Sequence, residues 1–220
     1  MKRVFFIIAV CLCVLAVNAQ VVEKTFAELK NEGNAAIKIK DFPKALELYE
    51  QALVKWGDKP IADTSMIYNM GLCAINSKNY EKALKYFDQT IGLNYKKVNS
   101  LLYKADVYRI TKKDAETLKT LETALSLSPE DAKVKSKLAA YYVNEANGYY
   151  SKGSAIITKA NGQITAGKLK TSDEPYKQAE KQAVDEFKKA LPSIEKALSY
   201  DPNNATAKQL KAACEQAIKS

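Results

Sequence analysis

Residues 29–55 read LKNEGNAAIKIKDFPKALELYEQALVK and hold two helical patterns joined by a tight turn. In the first, Leu29, Gly33, Ala36 and Ile37 fall on one face at helical spacing. Asp41 suits the N-cap of a second helix, and Pro43 suits its first turn, where a missing N–H costs nothing. Ala45, Leu46, Tyr49, Ala52 and Leu53 form the apolar stripe of that helix. Gly33 and Ala36 on one helix and Ala45 and Ala52 on the other are expected at the crossing, where larger side chains push the axes apart.

The unit recurs. Gly71 follows Gly33 by 38 residues, and Ala105 follows Gly71 by 34. The second-helix pattern returns at Ala83 and Phe87, at Thr117, Leu121 and Ala124, and at Phe187, Ala190, Ile194 and Ala197. Pro129 stands 12 residues after Thr117, and Pro202 stands 12 after Ala190. With Leu29, Ile67, Leu101 and Tyr108, these residues resemble the tetratricopeptide repeat, whose period is about 34 residues. Gly57 and Tyr95 stand where the family closes a repeat with proline, and Thr117 replaces an expected alanine. The resemblance implies an all-α fold: a right-handed α-α superhelix, or solenoid, whose first helices line a concave face used to bind other proteins.

Taken in order, residues 1–19 read as a signal peptide and 20–129 as three helical pairs. Residues 130–202 read as an extended fourth pair, and 203–220 as a capping helix. Trp56, Gly57 and Pro60 mark the loop after the first pair. In the fourth unit the apolar pattern continues through Tyr149, Tyr150 and Ile156, which predicts a helix of nearly 30 residues, about 45 Å long. Gly162 and Gly167 mark a mobile loop near 161–171, followed by a capping box from Thr171 to Glu174. Pro192 is expected to kink or break the returning helix. The result resembles exported bacterial repeat proteins that carry a lengthened last pair.

Met1-Lys2-Arg3 precedes 14 apolar residues, 4–17, and Val17-Asn18-Ala19 offers a cleavage site, so the mature chain is expected to be exported, periplasmic or secreted. No other stretch is long enough to cross a membrane. Cys11 and Cys13 lie within the leader's apolar run, which leaves Cys73 and Cys214 as buried free thiols on distant helices. The formal charge of +9 falls to +7 without Lys2 and Arg3, and the lysines interleave with Asp and Glu as on solvated helix faces.

The chain has no histidine, which excludes Ser/His and Cys/His relays. No cysteine pair has zinc spacing, and the eight glycines make no phosphate loop. Catalytic residues, cofactors and metals are therefore expected to be none, and nucleic acid is not an expected partner. The groove is the candidate site, built from Lys30, Asn34 and Lys38; Tyr68, Asn69, Leu72 and Asn76; Tyr103, Asp106 and Arg109; and Lys137. Lys30, Asn34 and Asn69 match the pattern with which some family members hold a peptide's C-terminal carboxylate, but Asn99 and Tyr103 stand where basic residues are expected in the third copy. A mixed polar and aromatic groove for an envelope protein or peptide is the reading that follows. The alternatives are a basic binder of an anionic envelope polymer or surface, a homo-oligomerisation module built on the long hairpin, and an enzyme using carboxylates alone. Tyr149 and Tyr150 suggest either an aromatic shelf or, more simply, a stripe covered by the returning helix.

Overall fold

The computed structural model describes residues 23–57 and 63–219, and nine α-helices and no strand occur among them. The leader and its cleavage site lie outside the described residues. Three pairs come first: α1 (Phe26–Lys38) with α2 (Phe42–Trp56), α3 (Thr64–Asn76) with α4 (Tyr80–Gly92), and α5 (Lys97–Ile110) with α6 (Asp114–Leu127). The long hairpin of α7 (Ala132–Thr165) and α8 (Glu174–Tyr200) follows, and then α9 (Ala205–Lys219). Each helix packs on the next in sequence, which is the arrangement of a solenoid.

Local chemistry sets the helix ends. Thr25 opens α1 with a capping box closed by Glu28. The side-chain oxygens of Asp41, Asp63 and Asn79 accept from the amides of Lys44, Met66 and Lys82 and so cap α2, α3 and α4. The first helices of the three pairs all end the same way. Lys40, Lys78 and Lys112 adopt left-handed backbone, with φ of 61°, 57° and 58°. The amide after each reaches back to Ala36, Ala74 or Tyr108, at 2.9, 2.8 and 2.9 Å. This is the six-to-one bond of a Schellman turn, made here by lysine in place of the usual glycine.

The small residues of the repeat make room for a ring. A Cβ on Gly71 would lie 2.8 Å from the Phe87 ring, and one on Gly153 would lie 2.7 Å from the Phe187 ring. In the third pair Ala105 and Leu121 hold the same two places, both buried. The crossing is thus a small residue under a large one, more specific than the expected meeting of small residues from both sides. One core joins the first two pairs, and a second joins the third pair, the hairpin and α9. Ala207, Leu210 and Cys214 of α9 are buried against the hairpin. Cys73 and Cys214 are both buried and free, and burial raises the Cys73 thiol to about 11.

The hairpin differs from the sequence expectation in three places. Helix α7 has 34 residues, about 51 Å, and includes Asn161 and Gly162. It stops only where Gly167, at φ 69°, lets Gly167 and Lys168 return their amides to Ile164 and Gln163. The link to α8 is therefore shorter than 161–171. The cap of α8 is Asp173, whose carboxylate binds the Lys170 amide 2.8 Å away; no capping box forms at Thr171. Pro192 does not break α8, which runs from Glu174 to Tyr200. The exposed ring sits on a helix held on its other face by Ser193, Ile194 and Ala197, all buried, so packing outweighs the lost hydrogen bond. Beyond the Gly153–Phe187 crossing, α7 continues for 12 residues and α8 approaches over 13, against 5 and 7 in the first pair.

Candidate functional site

The first helices of successive pairs are joined by a run of side-chain contacts. Lys30 of α1 forms an ion pair with Asp63 at the start of α3. Tyr68 of α3 meets Tyr103 of α5 edge-on, with ring centroids 6.1 Å apart. Asp106 of α5 takes the Lys137 ammonium of α7 on both carboxylate oxygens, at 2.6 and 2.7 Å. Apart from Asp63, every residue in these steps belongs to the groove set read from the sequence, so much of that set fastens the helices to one another.

The remaining groove residues divide further. Asn34 accepts from the buried Tyr49 hydroxyl at 2.7 Å, and Asn69 also bonds to that hydroxyl. Burial raises Tyr49 to about 12, so it remains a donor. Tyr68 is buried in a cluster with Phe87, Tyr95 and Tyr103, and burial raises it to about 12 as well. The Lys96 ammonium stands 4.7 Å over its ring. Asn76 donates to the Leu72 carbonyl of its own helix, and Leu72 packs against the core. Lys38 and Arg109 are exposed, and neither makes an ion pair among the described residues. Arg109 is the one arginine beyond the leader.

The Asp106–Lys137 pair stands between two openings. One is a cleft of about 450 Å³ among α5, α6 and α7, lined on its polar side by Asp106, Arg109, Lys137, Tyr141 and Asn144. Ala105, Thr117 and Leu121 supply the small and apolar part of its lining. The other is a smaller space of about 200 Å³, edged by Asn99, Tyr103 and Lys133. The pair cancels its own charge, which leaves Arg109 as the unneutralised cation of the larger cleft. Burial raises the Tyr141 hydroxyl, and the charges of Glu145, Asp114 and Glu122 add to the effect, so it stays protonated.

Tyr141 and Asn144 were not read as site residues from the sequence. Their spacing after Lys137, four and seven residues on, places them on the same stripe of α7, and that signal was available. Tyr149 and Tyr150 are half-buried, and Tyr150 packs on Phe187 at 5.4 Å, so the returning helix covers them in part. No group of three or more Cys, Asp or Glu side chains suited to a metal occurs among the described residues, and no described helix is long and apolar enough to cross a membrane.

Residues 64–97, which hold α3 and α4, match the Tetratricopeptide repeat family. A stretch of 92 residues is 34% identical to Photosystem I assembly protein Ycf3 of Acaryochloris marina (strain MBIC 11017). That match covers 42% of this chain and 55% of the relative, so the chain spans about half of the relative's length. Among solved structures, a TPR repeats protein from Bacteroides fragilis NCTC 9343 superposes with a TM-score of 0.52 at 25% identity, covering 88% of this chain and 99% of that one. A candidate protein-binding protein from Bacteroides ovatus ATCC 8483 gives a TM-score of 0.51 at 17% identity, covering 89% and 100%, a likeness of fold alone. The chain therefore has the all-α solenoid fold of tetratricopeptide-repeat proteins, and its second helical pair carries the repeat's sequence pattern.

Proposed function

We propose that this protein is an exported, non-catalytic scaffold that binds an extended or helical segment of another protein in the cell envelope. The export reading rests on the basic and apolar leader. The binding reading rests on one observation: the cleft among α5, α6 and α7 presents Arg109, Tyr141 and Asn144 around a fixed Asp106–Lys137 pair. A neutral, rigid pair with an uncommitted guanidinium and two hydrogen-bonding side chains beside it favours peptide recognition over chemistry. The assembly role in the relative's name is in keeping with a scaffold.

A photo-activated crosslinker placed at Asn144 tests this in intact cells. The expected outcome is a discrete protein adduct, absent when the crosslinker sits at exposed Lys85 on α4. Replacing Arg109 by Ala and Lys137 by Met is expected to lower its yield severalfold. An adduct pattern identical at Asn144 and Lys85, or unchanged by both substitutions, overturns the cleft as the binding surface.

A further inference from the structure

We propose that the arm formed by the outer halves of α7 and α8 holds a helix of a partner protein, laid in line with α9, which completes a three-helix bundle that α9 only half fills. Helix α9 packs against both limbs of the hairpin and buries Ala207, Leu210 and Cys214 there. One turn before its end, Ala217 lies in the lining of an open cleft of about 480 Å³ that both limbs share. The α7 side of this cleft carries Tyr150, Ser154, Ile157 and Asn161, and the α8 side carries Tyr176, Glu180, Ala183 and Phe187. On both limbs the steps are four, three and four residues, the spacing that presents one stripe of a helix to a neighbour. On α7 this is a second stripe. The first is Ala146, Gly153 and Ala160, all buried, with Gly153 beneath the Phe187 ring.

From Tyr150 to Asn161 the second stripe runs about 16 Å, or three turns. Tyr150, Ile157, Tyr176 and Val184 are only half-buried along it, because two helices alone do not cover them. An extended segment laid there would turn backbone N–H and C=O groups toward Ile157, Val184 and Phe187. A helix satisfies those groups itself and offers side chains alone, as α9 already does in the same groove.

The polar groups set the chemistry of the occupant. Glu180 is exposed and makes no ion pair among the described residues, and no Lys or Arg lines the cleft. Lys152 stands on the other flank of α7, over the Tyr149 ring. The hydroxyls of Ser154 and Thr158 bond to no described residue, whereas those of Thr117, Thr120 and Thr165 fold back onto carbonyls of their own helices. The docked helix therefore carries small or apolar residues three and four apart, as Ala207, Leu210, Cys214 and Ala217 are on α9, and a lysine or arginine opposite Glu180. A second copy of this chain cannot lend its α9, which is seated in its own hairpin. The surface shares no lining residue with the cleft among α5, α6 and α7.

A synthetic peptide copying residues 205–219, with Cys214→Ala and an N-terminal fluorescein, is the probe, since its pattern is one this groove accepts. Fluorescence anisotropy against the purified protein, as the cell produces it, is expected to show saturable binding at roughly hundreds of micromolar, the weak range that three turns of contact allow. Glu180→Lys is expected to weaken it about threefold to tenfold, and Thr158→Arg to abolish it by filling the cleft. Gln163→Lys, on the other flank of α7, leaves it unchanged. All three positions are exposed, and circular dichroism checks that the variants are folded. The same peptide with Leu210→Pro, which cannot form the helix, is expected not to bind. A photo-activated crosslinker at Thr158 in intact cells then reads the natural occupant. The expected adduct is a helical segment of another protein with a basic residue within one turn of the linked position. Absence of saturable binding, binding indifferent to Glu180→Lys and Thr158→Arg, or equal binding of the proline peptide overturns the proposal. So does a Thr158 adduct to residues 1–22, to a second copy of this chain or to no protein.

Discussion

The ring of Tyr49 occupies the space that a methyl group on Gly33 would need: a Cβ there falls 2.6 Å from the ring's Cε1. Tyr49 is fully buried and its hydroxyl is held by Asn34, so the ring has little freedom to withdraw. Gly33→Ala is therefore expected to destabilise the first pair by about 1–3 kcal/mol through overpacking. Gly148 is the contrasting case, since nothing lies within 4 Å of a Cβ built there. Gly148→Ala, in the middle of α7, is expected to gain about 0.5–1 kcal/mol of helix stability. Urea denaturation of the two variants beside the parent checks both signs.

Lys78 sits in the left-handed region at the end of α3, with φ 57°, and its side chain is exposed. Lysine pays a steric cost there that glycine does not. Lys78→Gly is expected to leave the fold unchanged and to stabilise it by about 0.5–1 kcal/mol. The gain falls below the full left-handed cost because glycine also loosens the unfolded chain. Thermal melting at a single scan rate measures it.

Asp63 ties α1 to α3. Burial pushes its carboxyl up, but the Lys30 ammonium, the Ser65 hydroxyl and the Met66 amide together outweigh burial and hold it below its ordinary value of 3.8. A depressed folded-state value means that this stabilisation is fully present above the unfolded carboxylate value and is lost as pH falls through the folded one. Stability of the parent is expected to drop as the pH falls below the ordinary carboxylate value, and Asp63→Asn is expected to flatten part of that drop. With no histidine in the chain, no histidine titration contributes between pH 5 and 8. Denaturation midpoints measured from pH 8 down to pH 2 test both statements.

Pro192 remains inside α8 although it donates no backbone hydrogen bond. The residue is exposed, so replacing it removes no core contact. Pro192→Ala is expected to stabilise the hairpin by about 1–3 kcal/mol. Slower amide exchange on either side of residue 192, followed by mass spectrometry, is the measurement; unchanged exchange would show that the helix already absorbs the proline without cost.

Much of the fold is legible in the residues because its determinants are local. Gly33, Gly71 and Ala105 return in step with Tyr49, Phe87 and Leu121, and a cap such as Asp41 needs only three neighbours to act. The left-handed lysines are not legible, since nothing in Lys40 or Lys78 distinguishes it from a lysine on a helix face. The end of α7 was misplaced because Gly162 reads as a breaker in isolation, whereas α8 packed alongside keeps that stretch helical. The groove was legible as a surface but not as a set of available contacts. Whether Lys30 or Asp106 is spent depends on Asp63 and Lys137, which lie 33 and 31 residues further along the chain.

The surplus past the Gly153–Phe187 crossing, seven residues on α7 and six on α8, is close to two turns of each helix. Whole turns can be added to or removed from both limbs of such an arm while the side chains below keep their facing. Its reach is thus a quantity that evolution, or an engineer, can adjust by deletion or duplication without redrawing the rest of the molecule.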